Sequence, residues 1–427
     1  MTISPPAPAG LDLPADLRET RSAFRLRQEM NGISEAPGKV WFWELAAAVI
    51  DAQRCVQCGA CVAACPTDSI GIGSTSDLPE LVKMCTGCSL CWDFCPRGGL
   101  RYESTWPREE SEDEDDWRIT GVDPAPGLGI TLGKFAARTR PDGALHTSGA
   151  QDGGVVSAVL SACLAAGEID GAIVACEDPA NPWKGIPVVA TSPEEIREAS
   201  GSFYNQTSAL ASLALDDAGL SPGARVAVVG TPCEIQGIRA LQARPWRRGR
   251  SNVDAVVLTI ALLCTKSFDY RKLLQKELRD DRGIDLARVS KIDVLRGRLV
   301  VEDLSGEAIL DEPIKDFHGA ALKGCDECAD FLGRGADLSV GSVGSDDGYS
   351  SVLIRTDAGD RAFQLAAGEL EIRELPRPQE LERLDRLDKR AARKALQREL
   401  DPDGSLFIDF TDHVTLYGGT DRAPVWR

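Results

Sequence analysis

Cys55-Val56-Gln57-Cys58-Gly59-Ala60-Cys61-Val62-Ala63-Ala64-Cys65-Pro66 is repeated further along as Cys85-Thr86-Gly87-Cys88-Ser89-Leu90-Cys91-Trp92-Asp93-Phe94-Cys95-Pro96. In each run three thiolates at two-residue gaps can wrap one face of a cubane iron–sulfur cluster. The fourth, set back by three residues and followed by proline, points away and ligates the other cluster. The spacing therefore assigns Cys55, Cys58 and Cys61 with Cys95 to one 4Fe–4S cluster, and Cys85, Cys88 and Cys91 with Cys65 to a second. Gly59, Ala60, Gly87 and Ser89 are small enough to let the backbone close on the sulfide cage. Zinc and disulfides are the rival readings. A zinc ribbon uses paired C-x-x-C knuckles without the third cysteine or the trailing proline. Two clusters in tandem carry electrons one at a time.

The chain of 427 residues has room for two or three domains and a large core. Its 43% apolar and 27% charged content is that of a globular protein. The formal charge of −18 repels phosphate backbones, so no nucleic acid is expected as a partner. No apolar stretch reaches the length of a membrane span. The first residues carry Pro5, Pro6 and Pro8 with no apolar core of a signal peptide. The fourteen cysteines accordingly read as reduced ligands in a cytoplasmic compartment.

Residues 1–50 read as a leader, with a charged helix at Leu17–Met30 and a short apolar helix from Val40 to Ile50 whose aromatics pack on the cluster module. Residues 51–103 form the ferredoxin-like module, one cysteine run per half. Residues 104–126 read as a linker, because the seven acidic residues between Glu109 and Asp116 repel one another. From residue 127 strands and helices alternate. Ala172–Cys176, Arg225–Val229 and Val256–Ile260 read as buried strands. Val155–Ala166, Thr207–Ala218 and Glu234–Ala243 read as helices. Leu299–Glu302, Ala336–Val340 and Val352–Arg355 read as later strands. The fold class is α/β (α+β), with this domain spanning 127–360. Residues 361–427 read as a helical extension, with Leu384, Leu387, Ala391 and Leu396 on the side facing the main domain.

Three constellations carry further chemistry. Gly149-Ala150-Gln151-Asp152-Gly153-Gly154 runs into the helix at Val155 and includes Ser157 in its first turn. Such a junction offers backbone N–H groups to an anion, although Asp152 could also be a plain N-cap. Gly201, Ser202 and Tyr204 make a second small polar turn. Third, Thr231-Pro232-Cys233 follows a strand and opens a helix that carries Gln236. Cys264-Thr265-Lys266 ends the next strand, and Cys325-Asp326-Glu327-Cys328 adds a C-x-x-C. Cys233, Cys264, Cys325 and Cys328 could hold one more cluster; from spacing alone, core thiols or a zinc knuckle fit as well. Cys163 and Cys176 read as packed thiols.

Together these residues resemble the beta-subunit family of coenzyme F-420 hydrogenases and dehydrogenases over about residues 38–360. The resemblance rests on Gln151-Asp152-Gly153-Gly154, Ile169-Asp170-Gly171-Ala172, Gly230-Thr231-Pro232-Cys233-Glu234-Ile235-Gln236-Gly237 and Cys264-Thr265-Lys266-Ser267-Phe268. It also rests on Cys325-x-x-Cys328 and on Ala336-Asp337-Leu338-Ser339-Val340-Gly341 leading to Gly348-Tyr349 and Arg355. It implies a mixed-sheet flavin-binding domain with non-covalent FAD, and a third 4Fe–4S cluster at Cys233, Cys264, Cys325 and Cys328. It further implies hydride transfer between a deazaflavin coenzyme and FAD, with electrons passing through clusters to ferredoxin or a redox partner subunit. Ser342 and Tyr349 depart from the acidic residue and tryptophan expected of the family. His318 and Lys323 are candidates to steady a reduced flavin or donate a proton. A ferredoxin-dependent reductase of another small-molecule substrate, tetrapyrrole-like, and a non-catalytic electron relay are the alternatives.

Overall fold

A computed structural model describes residues 41–98, 127–146, 150–213, 219–243 and 252–397. The expected helix at 17–30, the acidic segment 104–126, Gly149 and the tail after 397 lie outside the described residues.

The first described unit is the cysteine module. Helix α1 (Phe42–Leu45) continues as a π-helical turn, Ala46–Asp51. The two cysteine runs then fold alike. Each ends in one helical turn, α2 (Ala60–Ala63) and α3 (Leu90–Asp93), and a small hairpin of β1 (Ile70–Ile72) and β2 (Pro79–Leu81) lies between them. Gly59 and Ser89, at matching places, both take left-handed backbone at the N-cap, with φ of 82° and 70°. Phe42, Leu45 and Trp92 are buried among the cysteines, and Trp41 lies so close to Gly87 that a Cβ there would meet its ring at 2.6 Å. Trp43 stacks on Trp41 and stays half exposed.

The remainder is built on a large mixed sheet. Its strands are β3 (Gly133–Thr139), β4 (Gly171–Asp178), β5 (Asn181–Ala190), β6 (Val226–Gly230), β7 (Val256–Leu262), β11 (Leu338–Gly341), β12 (Ser350–Ile354) and β13 (Leu370–Glu374). They lie in the order β13-β3-β12-β11-β7-β6-β4-β5. The four central strands, β11, β7, β6 and β4, are parallel; antiparallel strands complete both edges. A separate antiparallel sheet holds β8 (Val289–Leu295), β9 (Arg298–Asp303) and β10 (Ala308–Pro313).

Side-chain alternation sorts the large sheet into two buried faces. Ala172, Val174, Ala227, Leu258 and Ile260 face one core with helix α4 (Val155–Ala165) and helix α7 (Asp357–Ala366). Ile173, Val226, Val228 and Ala261 face the other, which takes in helix α6 (Pro232–Ala243) and also Val56, Ala60, Ala64 and Phe94 of the cysteine module. Module and sheet therefore share a core. Helix α5 (Pro193–Glu198) follows β5 and is closed by a capping box from Ser192 and Glu195.

Three expectations are corrected. The sheet does not stop near residue 360, since β13 pairs with β3 along Leu370–Glu374 and α7 packs Phe363 on Phe135. Helix α8 (Pro378–Gln397) does pack on the body, but through Leu381, Leu384, Asp385 and Ala392. Leu387 and Ala391 are exposed, and the Leu396 side chain is outside the described residues. The inward row contains a charge: Asp385 is buried against Arg334 at 2.9 Å, so the row does not read as apolar. Likewise the helix expected at 207–218 is not seen in its described part, which ends at residue 213. Ser208 is left-handed, its hydroxyl donates to Gln57 O at 2.6 Å, and a short 3-10 turn follows at Ala209–Ser212. Docking on the module overrides helix propensity there. Among the described residues no helix is long and apolar enough to cross a membrane.

Candidate functional site: three thiol sets and a polar cradle

The two cysteine runs place their sulfurs by the same local device. Gln57 N–H donates to Cys55 Sγ and Gly87 N–H to Cys85 Sγ, each at 3.3 Å. Residues 57 and 87 both have positive φ, which aims the amide inward; one half uses glycine there and the other accepts the strain on Gln57. Burial pushes the Cys55 thiol up to about 12, and Cys95 adds to the rise. Burial likewise raises Cys58 and Cys61, each with Cys95 among its charged neighbours. In the other run burial raises Cys88, which feels Cys65 and Cys85, and Cys91, which feels Cys88 and Cys85. Cys65, Cys85, Cys88 and Cys91 line one small cavity together with Thr67, Ser69 and Thr86, while Cys55, Cys58 and Cys61 each have Cys95 among their neighbours. Four cysteine sulfurs per set are the donors that a cubane cluster takes.

The third set forms where two central strands end. Pro232 opens α6 directly after β6 and puts Cys233 in its first turn. Cys264 follows β7, and Cys325 and Cys328 sit in and after the 3-10 turn Lys323–Glu327. Burial raises Cys264 well above the usual thiol range, with Cys325, Cys233 and Cys328 adding to it in that order. The four cysteines are therefore neighbours. The sets also adjoin one another: after burial, the largest influence on Cys58 is Cys233, and the largest on Cys91 is Cys61.

Sequence reasoning missed the polar residues that fix this arrangement. Gln206 bridges the two strand ends, its amide donating to Thr231 Oγ1 at 3.0 Å while Ser267 Oγ donates to its carbonyl at 2.9 Å. Thr231 Oγ1 lies 3.1 Å from Cys233 Sγ. Buried Glu234 accepts from the N–H groups of Ala209 and Thr231, both at 2.8 Å. Arg54 pairs with Glu327 at 2.7 Å, and Arg97 Nε donates to Gly324 O at 2.6 Å. The available signal was position: Arg54, Arg97, Gly324 and Glu327 each adjoin a ligand run. Lys266 is held by Asp326, and Thr265 and Gln236 lie at the surface or half-buried near these turns.

The glycine-rich constellations meet on β8. Gln151 Nε2 donates to Ile292 O at 3.2 Å. Tyr204 OH donates to Asp293 Oδ1 at 3.3 Å and accepts from Val294 N–H at 2.9 Å. Burial pushes the Asp152 carboxyl up to about 6; Asp293 adds to this and Lys291 opposes it. Asp152 is not the N-cap of α4. That place belongs to Gly154 at φ 69°, with no side-chain cap, so the first-turn N–H groups through Ser157 look to another acceptor. Gly153 is needed for close approach: a Cβ would meet Ala137 O at 2.3 Å and Ser350 N at 2.8 Å. Asn205 makes an isolated bridge to Phe268, whose N–H donates to Tyr204 O at 2.8 Å, so residues 204–206 link this cradle to the third thiol set. Gly201 is exposed and Ser202 half-buried at its edge. His318 and Lys323 are both exposed. Tyr349 is held between Arg138 and Arg373 with its hydroxyl on Glu371 at 2.8 Å, and the Ser342 carbonyl accepts from Ser345.

Comparison with known proteins matches this architecture piece by piece. Residues 48–101 match a 4Fe-4S dicluster domain, 136–214 the N-terminal part and 223–378 the C-terminal part of the coenzyme F420 hydrogenase/dehydrogenase beta subunit. A subunit of the F(420)H(2) dehydrogenase of Methanosarcina mazei is 30% identical over 78% of this chain and 88% of its own. A coenzyme F420-dependent sulfite reductase of Methanocaldococcus jannaschii is 31% identical over 82% of this chain, which spans about half (51%) of that relative. A chain of the F420-reducing [NiFe] hydrogenase complex of Methanosarcina barkeri superposes with a TM-score of 0.59 at 32% identity, over 65% of this chain and 94% of that one. The protein is an iron–sulfur oxidoreductase of the coenzyme F420 hydrogenase/dehydrogenase beta-subunit family, with a 4Fe–4S dicluster module fused ahead of the family's two conserved parts.

Proposed function

We propose that the chain binds FAD and three 4Fe–4S clusters, accepts hydride from a reduced deazaflavin coenzyme, and hands single electrons to ferredoxin or a partner subunit. The observation that carries this reading is the contiguity of the three thiol sets. They run from exposed Cys88, through Cys61 and Cys58, to Cys233 and the Tyr204–Gln206 segment beside the cradle. When bound, a flavin exchanges electrons in pairs or singly, and the clusters carry them singly.

The chain's own residues serve three tasks in this reading. The glycine turn and uncapped start of α4 hold a phosphate group, with Gly149, Gln151, Asp152, Gly153, Gly154 and Ser157 around it. Gly201, Ser202 and Tyr204 flank the ring, and Thr231, Pro232, Gln236, Thr265 and Lys266 close the side toward the third set. Burial raises the Asp152 carboxyl to about 6, so its repulsion of that phosphate is relieved only as pH falls below that value. His318 and Lys323 remain proton-donor candidates at the rim. The compartment is the cytoplasm, where thiols stay reduced. The relatives, a dehydrogenase subunit, a sulfite reductase and a hydrogenase complex, share the F420 coenzyme in their names and differ in the activity coupled to it.

The test is anaerobic reconstitution followed by iron, sulfide and flavin counts, then titration with reduced deazaflavin. Bleaching at the flavin maximum followed by cluster reduction supports the reading. A chain that binds flavin, ignores the deazaflavin and responds only to a low-potential donor refutes it in favour of a reductase of another substrate. A chain that never binds flavin is a relay.

A further inference from the structure

Arg97 follows the second Cys-Pro pair and is 4% exposed. Its Nε donates to Gly324 O at 2.6 Å and its Nη1 to Pro96 O at 3.0 Å. Both acceptors are neutral carbonyls, one beside Cys95 and the other beside Cys325. The nearby carboxylate of Glu327 is taken up by Arg54, whose Nε and Nη2 reach it at 2.7 and 2.9 Å. Arg54 also donates to the Arg97 carbonyl at 2.9 Å. The approach is tight: a Cβ on Gly324 would meet Arg54 O at 2.0 Å. The guanidinium is thus fixed at the seam between the first thiol set and the third.

A buried cation needs anions. Arg54 takes up the Glu327 carboxylate. The anions that flank the Arg97 guanidinium across its two carbonyl contacts are then the thiolates of Cys95, beside Pro96, and of Cys325, beside Gly324, once clusters hold them.

We propose that Arg97 is a fixed cation shared by the Cys55/Cys58/Cys61/Cys95 cluster and the Cys233/Cys264/Cys325/Cys328 cluster, raising both potentials together so that an electron crosses between them. This rests on the three-cluster reading above. One electron leaves one cluster and enters the other; no bond and no proton changes place. A positive charge in a low-dielectric seam favours the added electron on either side, which is the protein's usual lever on a cluster. Glu327 acts in the opposite sense, and its pairing with Arg54 keeps it from cancelling Arg97.

The test is a redox titration of the whole reconstituted chain followed by electron paramagnetic resonance. Arg97→Gln keeps a donor for Gly324 O and removes the charge. It is expected to make the two inner clusters about tenfold poorer in electron affinity, or about 59 mV for a one-electron couple, with the outer cluster unmoved. Arg97→Lys is expected to recover most of the shift. Glu327→Gln is expected to move the inner potentials upward. Arg97→Gln with full iron and unmoved potentials, or with all three clusters shifted alike, overturns the proposal. Should Arg97→Gln not hold its iron, Glu327→Gln decides: an upward shift of the inner pair supports the shared cation and no shift overturns it. A wild-type chain with iron for two clusters only overturns the three-cluster reading and the proposal with it; three clusters with unmoved potentials overturn the proposal alone.

Discussion

Gly324→Ala tests the seam between module and sheet by a single methyl group. The added Cβ would lie 2.0 Å from Arg54 O, 2.8 Å from Arg54 C and 2.8 Å from Val56 Cγ1. A comfortable carbon–oxygen contact is about 3.3 Å, so the backbone must open by roughly 1 Å. The obstructing atom is a carbonyl one residue before Cys55, on a segment anchored by the Arg54–Glu327 pair. It cannot rotate away as a side chain would. Overpacking a tight site costs about 1–3 kcal/mol, and a backbone obstacle places this variant near about 3 kcal/mol. That is about a hundredfold in any equilibrium that closes the seam. The loss is expected where the strain is, in retention of iron at Cys325 and Cys328, while the set at Cys65, Cys85, Cys88 and Cys91 keeps its cluster. Gly319→Ala is the control, because a Cβ there meets nothing within 4 Å. Iron and sulfide counts under a graded chelator, with thermal melting alongside, give the readout. If Gly324→Ala retains all its iron and melts with Gly319→Ala, the closeness of the seam is wrong and so is the shared core.

Other perturbations test the cradle, the bridge and the last helix. Asp152 titrates at about 6 in the folded chain against 3.8 ordinarily, chiefly through burial. A carboxyl raised on folding stabilises only while protonated; its contribution is complete below about pH 3.8 and lost as pH rises through about 6. Asp152→Asn should therefore gain about 2–3 kcal/mol in the flavin-free chain at neutral pH and little near pH 4. Parallel melting curves whose gap does not widen with pH would contradict this. Gln206→Leu removes the bonds to Thr231 and Ser267, at a cost of about 1–3 kcal/mol; iron bound at Cys233 and Cys264 should become chelator-labile first. Arg334→Met leaves Asp385 with Lys389 alone at 2.9 Å. Breaking a buried pair costs about 3–5 kcal/mol, and Lys389 holds the loss near the lower end. Limited proteolysis should then cut α8 before the rest of the chain.

The cysteine module was legible because iron ligation imposes rigid spacing, and the same residues that bind also fix the turns. The central strands β4, β6 and β7 were legible for a different reason: strands buried on both faces read as continuous apolar runs. The antiparallel strands β3 and β13 were not. β3 carries Lys134 and Arg138 and β13 carries Glu371 and Arg373, and Arg138 is settled by Glu371, distant in sequence. Asp385 hid the inward face of α8 in the same way. At the site, the cysteine sets were readable and most of the residues that position them were not. Gln206 acts only through contacts that the fold creates, so no local pattern marks it, and Arg97 is marked by nothing but its place beside a Cys-Pro pair.

The module's attachment bears on how electrons would travel. A carrier domain on a tether must leave and return, and its contacts are then few and polar. Here Val56, Ala60, Ala64 and Phe94 lie in the same apolar core as Val226, Val228 and Ile238. Glycines mark two further close approaches. A Cβ on Gly59 would meet Ala211 N at 2.6 Å, and one on Gly237 would come within 3.2 Å of Ala60. Separating the module would expose that core and leave the buried Arg97 without its anions. Fixed spacing follows: the interval between the first and third thiol sets is set by packing and does not depend on diffusion. Inter-cluster transfer should then be independent of solvent viscosity, while exchange at the exposed Cys88 end, flanked by Val82 at 57% and Met84 at 76% exposure, should slow as viscosity rises. Viscosity dependence at both steps in rapid-reaction measurements would mean that the module moves.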